Sequence, residues 1–173
     1  RYVITGGSGA DTITTGGGAD TITGGLGLDT MTGGAGIDTF VFSTNGSVAG
    51  TSLDAITDFN ASSAGDIIDF GGTAVLLAVE ADGATATSDV DTTAGGKVGF
   101  AAGDTTYAQM VTAIQADAEL DVAGSVAFFV NGANTYVYYA GAATGNTDDQ
   151  IIQLDGITSL TTISIVGGDV LIA

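Results

Sequence analysis

Asp11, Asp20, Asp29 and Asp38 recur every nine residues, and each closes a glycine-rich turn. The turns read Gly6-Gly7-Ser8-Gly9-Ala10, Thr15-Gly16-Gly17-Gly18-Ala19, Gly24-Gly25-Leu26-Gly27-Leu28 and Gly33-Gly34-Ala35-Gly36-Ile37, and only the second departs, with Thr15 where the others have glycine. Carboxylates and backbone carbonyls are hard oxygen donors. One carboxylate per turn together with inward-pointing carbonyls can supply the about six to eight oxygens that Ca²⁺ takes. Glycine suits such a turn because it adopts otherwise forbidden backbone angles and puts no Cβ in the way of those carbonyls.

The elements that must hold these turns are short strands. After each aspartate come Thr12-Ile13-Thr14, Thr21-Ile22-Thr23, Thr30-Met31-Thr32 and Thr39-Phe40-Val41, and strand alternation puts the central residue on one face and its neighbours on the other. Ile4, Ile13, Ile22, Met31 and Phe40 therefore form an inner ladder. A glycine-rich, low-complexity linker would share the composition. It has no reason to keep an acid and an apolar residue in phase over four periods.

These turns and strands match the nonapeptide GGxGxDxUx, and the segment resembles the RTX calcium-binding repeat proteins. The resemblance implies a parallel β-roll over residues 1–42, in which one coil is two nonapeptides and each ion sits between turns stacked on the same side. It pairs Asp11 with Asp29, joined by carbonyls of Gly6, Ser8, Gly25 and Gly27, and Asp20 with Asp38, joined by carbonyls of Thr15, Gly17, Gly34 and Gly36. Asp54-Ala55-Ile56-Thr57-Asp58-Phe59 and Asp66-Ile67-Ile68-Asp69-Phe70 look like the stretch that follows the repeats in secreted RTX proteases, lipases and surface-layer proteins. By that likeness Asp54 and Asp58 are further ion ligands; read from the residues alone they are equally turn aspartates in solvent. Asp148 to Ile157 resembles the terminal strand motif of RTX C-terminal domains, and Asp169-Val170-Leu171-Ile172 the uncleaved signal read by type I secretion systems.

Composition sets outer bounds. The 173 residues carry 20 acids against two basic residues, a formal net charge of −18, yet 45% are hydrophobic. That is too apolar for an acidic disordered tail, so the acid is there to be neutralised by cations. No basic stripe exists to meet phosphates, which argues against nucleic acid and anionic membranes. Without Cys there is no disulfide framework, and without His there is neither zinc-protease nor Ser-His-Asp chemistry. No apolar run approaches the roughly 20 residues of a membrane-spanning helix. No signal peptide is visible, and the chain opens on Arg1 partway into a repeat, as a piece of a longer protein would.

Beyond residue 42 the sequence predicts a β-rich C-terminal region, 43–173, with one packed helix. Ser43 to Ser47 is a degenerate turn, Thr73 to Val79 a strand, and Ala81 to Lys97 a loop whose Asp82, Asp89 and Asp91 are solvated surface. Asp104 to about Ala118 is the helix, capped by Asp104 or Thr105, with Tyr107, Met110, Val111, Ile114 and Ala118 on one buried face. The final third reads as antiparallel strands: Ser125 to Val130, a four-residue turn Asn131 to Asn134, Thr135 to Tyr139, Gln150 to Leu154, Ile163 to Val166 and Val170 to Ile172. Tyr136, Tyr138 and Tyr139 are expected at the sheet surface and interface, with a carbohydrate cradle as the alternative.

The fold class expected is therefore all-β, a parallel roll running into a β-rich region with a single helix. The resemblance implies a secreted or cell-surface bacterial module that binds Ca²⁺, meets the type I secretion machinery, and assembles as a homo-oligomer or lattice, as surface-layer proteins do. An appendage to an upstream protease or lipase ranks second, and an adhesin gripping glycans or ice through Thr12, Thr21 and Thr30 ranks third. No catalytic base or carboxylate cleft is legible, so no enzymatic activity is expected in the segment.

Overall fold

The computed structural model describes residues 1–42, 53–62, 65–72, 74–76, 90–92, 97–100, 106–116, 122–142, 148–160 and 163–172. The segments after each repeat aspartate are strands: β1 (Val3–Thr5), β2 (Thr12–Gly17), β3 (Thr21–Thr23), β4 (Thr30–Ala35) and β5 (Thr39–Val41). They segregate by parity. β1, β3 and β5 pair in parallel and in register, Ile4 beside Ile22 beside Phe40, while β2 pairs with β4, Ile13 beside Met31. Two turns of nine residues thus return the chain to the same sheet, which defines a parallel β-roll.

The roll gains a third coil that lacks the nonapeptide. β6 (Asp54–Ile56) adds to β4, and β7 (Ile67–Asp69) adds to β5, both in parallel, and Ile56 and Ile68 extend the two ladders. Ile22, Met31, Phe40, Ile56 and Ile68 are fully buried between the sheets. Ile4, on the first coil, is only partly buried against the same core.

The C-terminal part adds β8 (Val75–Leu76), β9 (Val90–Thr92), β10 (Val98–Phe100), α1 (Tyr107–Ala116), β11 (Ser125–Asn131), β12 (Asn134–Tyr139), β13 (Gln150–Leu154), β14 (Ile163–Val166) and β15 (Asp169–Ile172); β9 and β10 form a separate two-stranded sheet, and the other strands extend the two sheets of the roll. One sheet has the order β1-β3-β5-β7-β15-β14, and the other β2-β4-β6-β13-β12-β11-β8. A single apolar cluster runs from Ile13 through Phe128 and Ile152 to Val170. The sheets cross residue 42 without a break, so packing does not divide the chain where the repeats stop. A second cluster lies on the outer face of the larger sheet, where Val111, Ala113 and Ile114 of α1 pack with Ala127, Phe129, Tyr138 and Ile151.

Several details depart from the sequence reading. The strands of the final third pair antiparallel with one another, as read from the sequence, but β13 and β11 also pair in parallel with the earlier β6 and β8, which that reading did not include. The hairpin between β11 and β12 closes on Gly132 and Ala133 alone, since Asn131 and Asn134 already pair across it. Gly132, at φ 63°, takes the left-handed angle that so short a loop demands. Tyr136 and Tyr138 are buried rather than on the sheet surface, because α1 and β10 cover that face, and Tyr139 stacks on Phe70 with ring centroids 4.5 Å apart. Helix α1 is capped by Thr106. Its amide donates to Gln109 Oε1 at 3.1 Å while the Gln109 amide approaches Thr106 Oγ1 at 3.4 Å, a reciprocal capping box. Asp104, Thr105 and Ala118, the turn at 43–47, and Asp82 and Asp89 lie outside the described residues.

Phe40 faces Phe59 at 6.1 Å and is fully buried between the sheets. Truncating a buried Phe to Ala typically costs about 3–5 kcal/mol. Phe40→Ala in saturating calcium is therefore expected to lower the urea midpoint by a corresponding amount, whereas Thr12→Ala on the exposed face should leave it nearly unmoved.

Candidate metal centre

Each repeat aspartate is set by the strand that follows it, two residues before the inner-ladder side chain. One carboxylate oxygen stitches the coils together. Asp29 Oδ1 accepts the Asp11 amide at 2.9 Å, and Asp38 Oδ1 accepts the Asp20 amide at 2.8 Å. The structure thus brings together the pairs that the resemblance to the repeat proteins implied. The column continues through non-repeat residues: the Asp29 amide donates to Asp54 Oδ1 and the Asp38 amide to Asp66 Oδ1, each at 2.9 Å. At the other end the Tyr2 amide donates to Asp20 Oδ1 at 2.7 Å.

The second oxygen tells a different story. Oδ2 of Asp20, Asp29 and Asp38 is buried and has no hydrogen-bond partner, and these residues are at most 1% exposed. A buried ionised oxygen without a donor is strongly unfavourable. Each of these three atoms therefore calls for a cation. Asp11 differs, because its Oδ2 accepts the Gly7 amide of its own turn at 2.6 Å.

Glycine makes the space around these oxygens. A Cβ on Gly24 would strike Asp29 Oδ2, and one on Gly33 would strike Asp38 Oδ2. Where the turns stack, a Cβ on Gly25 would strike the Gly7 carbonyl oxygen and one on Gly27 the Gly9 carbonyl, while Gly34 and Gly36 stand in the same way over Gly16 and Gly18. All four upper glycines have positive φ, from 95° at Gly34 to 139° at Gly36, so a side chain there would be strained as well as crowded. The oxygens that face a stacked turn thus include those of Gly7, Gly9, Gly16 and Gly18, and that of Gly24, which faces Gly6. The sequence reading had not chosen these residues. The Gly-Gly pair marks the turn but does not show which carbonyl points along the stack.

Among the described residues no three Asp, Glu, His or Cys side chains converge closely enough to hold a metal by themselves. The donors that fit a cation here are accordingly one or two carboxylates and several backbone carbonyls, a hard all-oxygen set suited to Ca²⁺. Gly6, Ser8, Gly25 and Gly27 lie in the first pair of stacked turns, and Thr15, Gly17, Gly34 and Gly36 in the second.

The two further candidates part company. Asp54 is buried at the end of the Asp11–Asp29 column, and burial first, with the neighbouring Asp29 charge adding to it, pushes its carboxyl up to about 6. Asp58 has both oxygens engaged by backbone, accepting the Gly33 amide at 2.9 Å and the Gly34 amide at 2.7 Å. Its carboxylate caps the turn at 33–38. Asp66 was not among the chosen ligands, yet it mirrors Asp54: it lies two residues before the buried Ile68, and burial raises its carboxyl above the ordinary value. That two-residue phase was the available signal, obscured because the insertions of the third coil break the nine-residue count. On the other side of the balance, the Tyr2 amide holds the Asp20 carboxyl below its usual range.

With this geometry in view, residues 5–40 match the RTX calcium-binding nonapeptide repeat in four copies. These repeats bind calcium, and the all-β roll they form is the fold described above. The match covers the repeat segment of the 173-residue chain and stops before the third coil. No curated protein matches the chain.

Gly24→Ala places a methyl against Asp29 Oδ2 and is expected to weaken calcium binding at the first turn pair at least tenfold by calorimetry; Gly9→Ala, whose Cβ would meet nothing within 4 Å, serves as the neutral control. A pH dependence also follows. Asp54 has a folded pKa raised to about 6, so between its ordinary value of 3.8 and that point the folded state binds more protons than the unfolded one. In chelator the balance between unfolded and folded chain should therefore shift toward the folded form as the pH falls from about 6.5 to 4.5, read as a rise in β signal by circular dichroism. The opposing effect of Asp20, with its lowered pKa, begins only below 3.8. A β signal in chelator that falls as the pH falls through that window would contradict this assignment.

Proposed function

We propose that this chain is a non-catalytic, extracellular calcium-binding module that stays unfolded until it meets calcium after type I export, and that then supports assembly of a surface layer or similar array. The observation that carries the reading is the trio of buried, unpartnered carboxylate oxygens on Asp20, Asp29 and Asp38. Without a cation these three oxygens stay buried without a donor, and a net charge of −18 adds self-repulsion. The glycine-rich turns add a high ordering entropy. In a cytosol poor in free calcium those terms favour an open, threadable chain. Outside, calcium near mM concentrations exceeds the roughly 10⁻⁴–10⁻³ M dissociation constants of extracellular modules, and binding only to the folded state drives folding.

The placement of the C-terminal residues supports this order of events. Asp169, Val170, Leu171 and Ile172 form β15, which is inserted between β7 and β14, with Val170 fully buried. A transporter could read them as a signal only while the chain is unfolded. Among the described residues no helix is long and apolar enough to cross a membrane. For assembly, the favourable features are apolar side chains on the turns, with Leu26 and Leu28 exposed on one turn and Ile37 on another, beside acidic surfaces that a divalent ion can bridge between neighbours.

Circular dichroism during a calcium titration should show a cooperative rise of β signal, reversed by EDTA. Equal compactness with and without the chelator would overturn the folding reading. Electron microscopy of the same samples separates the finer alternatives: calcium-dependent sheets or filaments support assembly, and a monomer at every calcium concentration points to an appendage of an upstream enzyme.

A further inference from the structure

The two stacked turn pairs are not equivalent. In the first, Gly6–Asp11 under Gly24–Asp29, the strands on either side stop at Thr5 and Thr23, and within the turns Leu26 bonds the Gly7 carbonyl at 2.9 Å. In the second, Thr15–Asp20 under Gly33–Asp38, β2 and β4 run on through the glycines. Gly16 pairs with Gly34 and Gly17 with Ala35, and the Gly18 amide bonds the Ala35 carbonyl at 2.7 Å. Thr15, the one break in the glycine pattern, donates its hydroxyl to the Gly33 carbonyl at 2.5 Å. Asp58 holds the same upper turn from the other side through the Gly33 and Gly34 amides. The second pair is thus tied by hydroxyl, ladder and carboxylate bonds that need no metal.

We infer that Thr15 is a positioning residue that makes the second turn pair the first to take calcium, so that folding of the roll is seeded there. The inference rests on the calcium reading above and adds an order to it. An ion that binds turns whose register these bonds also favour has less ordering to supply, and the ordering free energy that is saved appears as affinity. Glycine at position 15 would give up both the stitch and the backbone restriction of a β-branched residue. The hydroxyl is therefore a departure from the repeat that trades uniformity for sequence of binding.

The test is residue-resolved amide exchange during a calcium titration of the whole chain. The Gly18 amide reports the second pair and the Leu26 amide the first. In the unaltered protein Gly18 should become protected at a calcium concentration at least about threefold below that for Leu26. Thr15→Val, which keeps the branched shape but not the hydroxyl, should raise the Gly18 midpoint about three- to tenfold, the scale of one net hydrogen bond, and abolish the order. Thr15→Ser should restore it. General weakening of the fold would move both midpoints together and leave the order intact, which would overturn the inference, as would coincident midpoints in the unaltered protein or tighter binding by Thr15→Val. If neither amide responds to calcium in the unaltered chain, the calcium reading itself fails.

Discussion

A divided carboxylate organises the molecule. In Asp20, Asp29 and Asp38 one oxygen accepts the backbone amide of the coil beneath, and the other is buried without a donor. The first bond fixes register, because it can form only when strands stack with an 18-residue offset. The second oxygen leaves that register with an open acceptor suited to a cation. Every other feature of the roll follows: the glycines clear space for the oxygens, and the short strands deliver one apolar side chain each to the interior.

The third coil shows what the repeat is for, because it achieves similar stacking without it. Asp54 and Asp66 receive the amides of Asp29 and Asp38, and Asp58 closes the upper turn on the second side. At Asp58 and Asp66 backbone amides satisfy both oxygens, where the repeats leave one open. Along the roll the structure thus passes from turns that leave a carboxylate oxygen open to a coil whose aspartates are met by backbone amides. Both halves share the same two sheets and one continuous apolar core.

The repeat segment was legible because its chemistry is local. A nine-residue period places Asp and Ile by counting, and the pairs that the resemblance implied, Asp11 with Asp29 and Asp20 with Asp38, are those that stack. The helix stripe was equally readable from Val111 and Ile114. Partners that depend on tertiary position were not. Nothing local indicates that Asp58 reaches back to Gly33, that β13 lies parallel to β6, or that Tyr138 is enclosed, its hydroxyl bonded to the buried Asp149 at 2.7 Å. The identity of the stacking carbonyls also escaped, since peptide orientation within a Gly-Gly turn is chosen by the coil above it.

The continuity of the sheets bears on kinetics. Contacts inside the roll join residues one coil apart, whereas β13 must find β6, with Ile152 beside Asp54, and β15 must find β7, with Val170 beside Ile68, across most of the chain. Closing such long loops is slow, and it becomes favourable only when a rigid partner is waiting. Until the remote strands arrive, β6 and β7 are open borders where another molecule's strand could anneal. The interval between ion capture and docking of the distal strands is thus the period in which a crowded population of these chains is most exposed to mispairing.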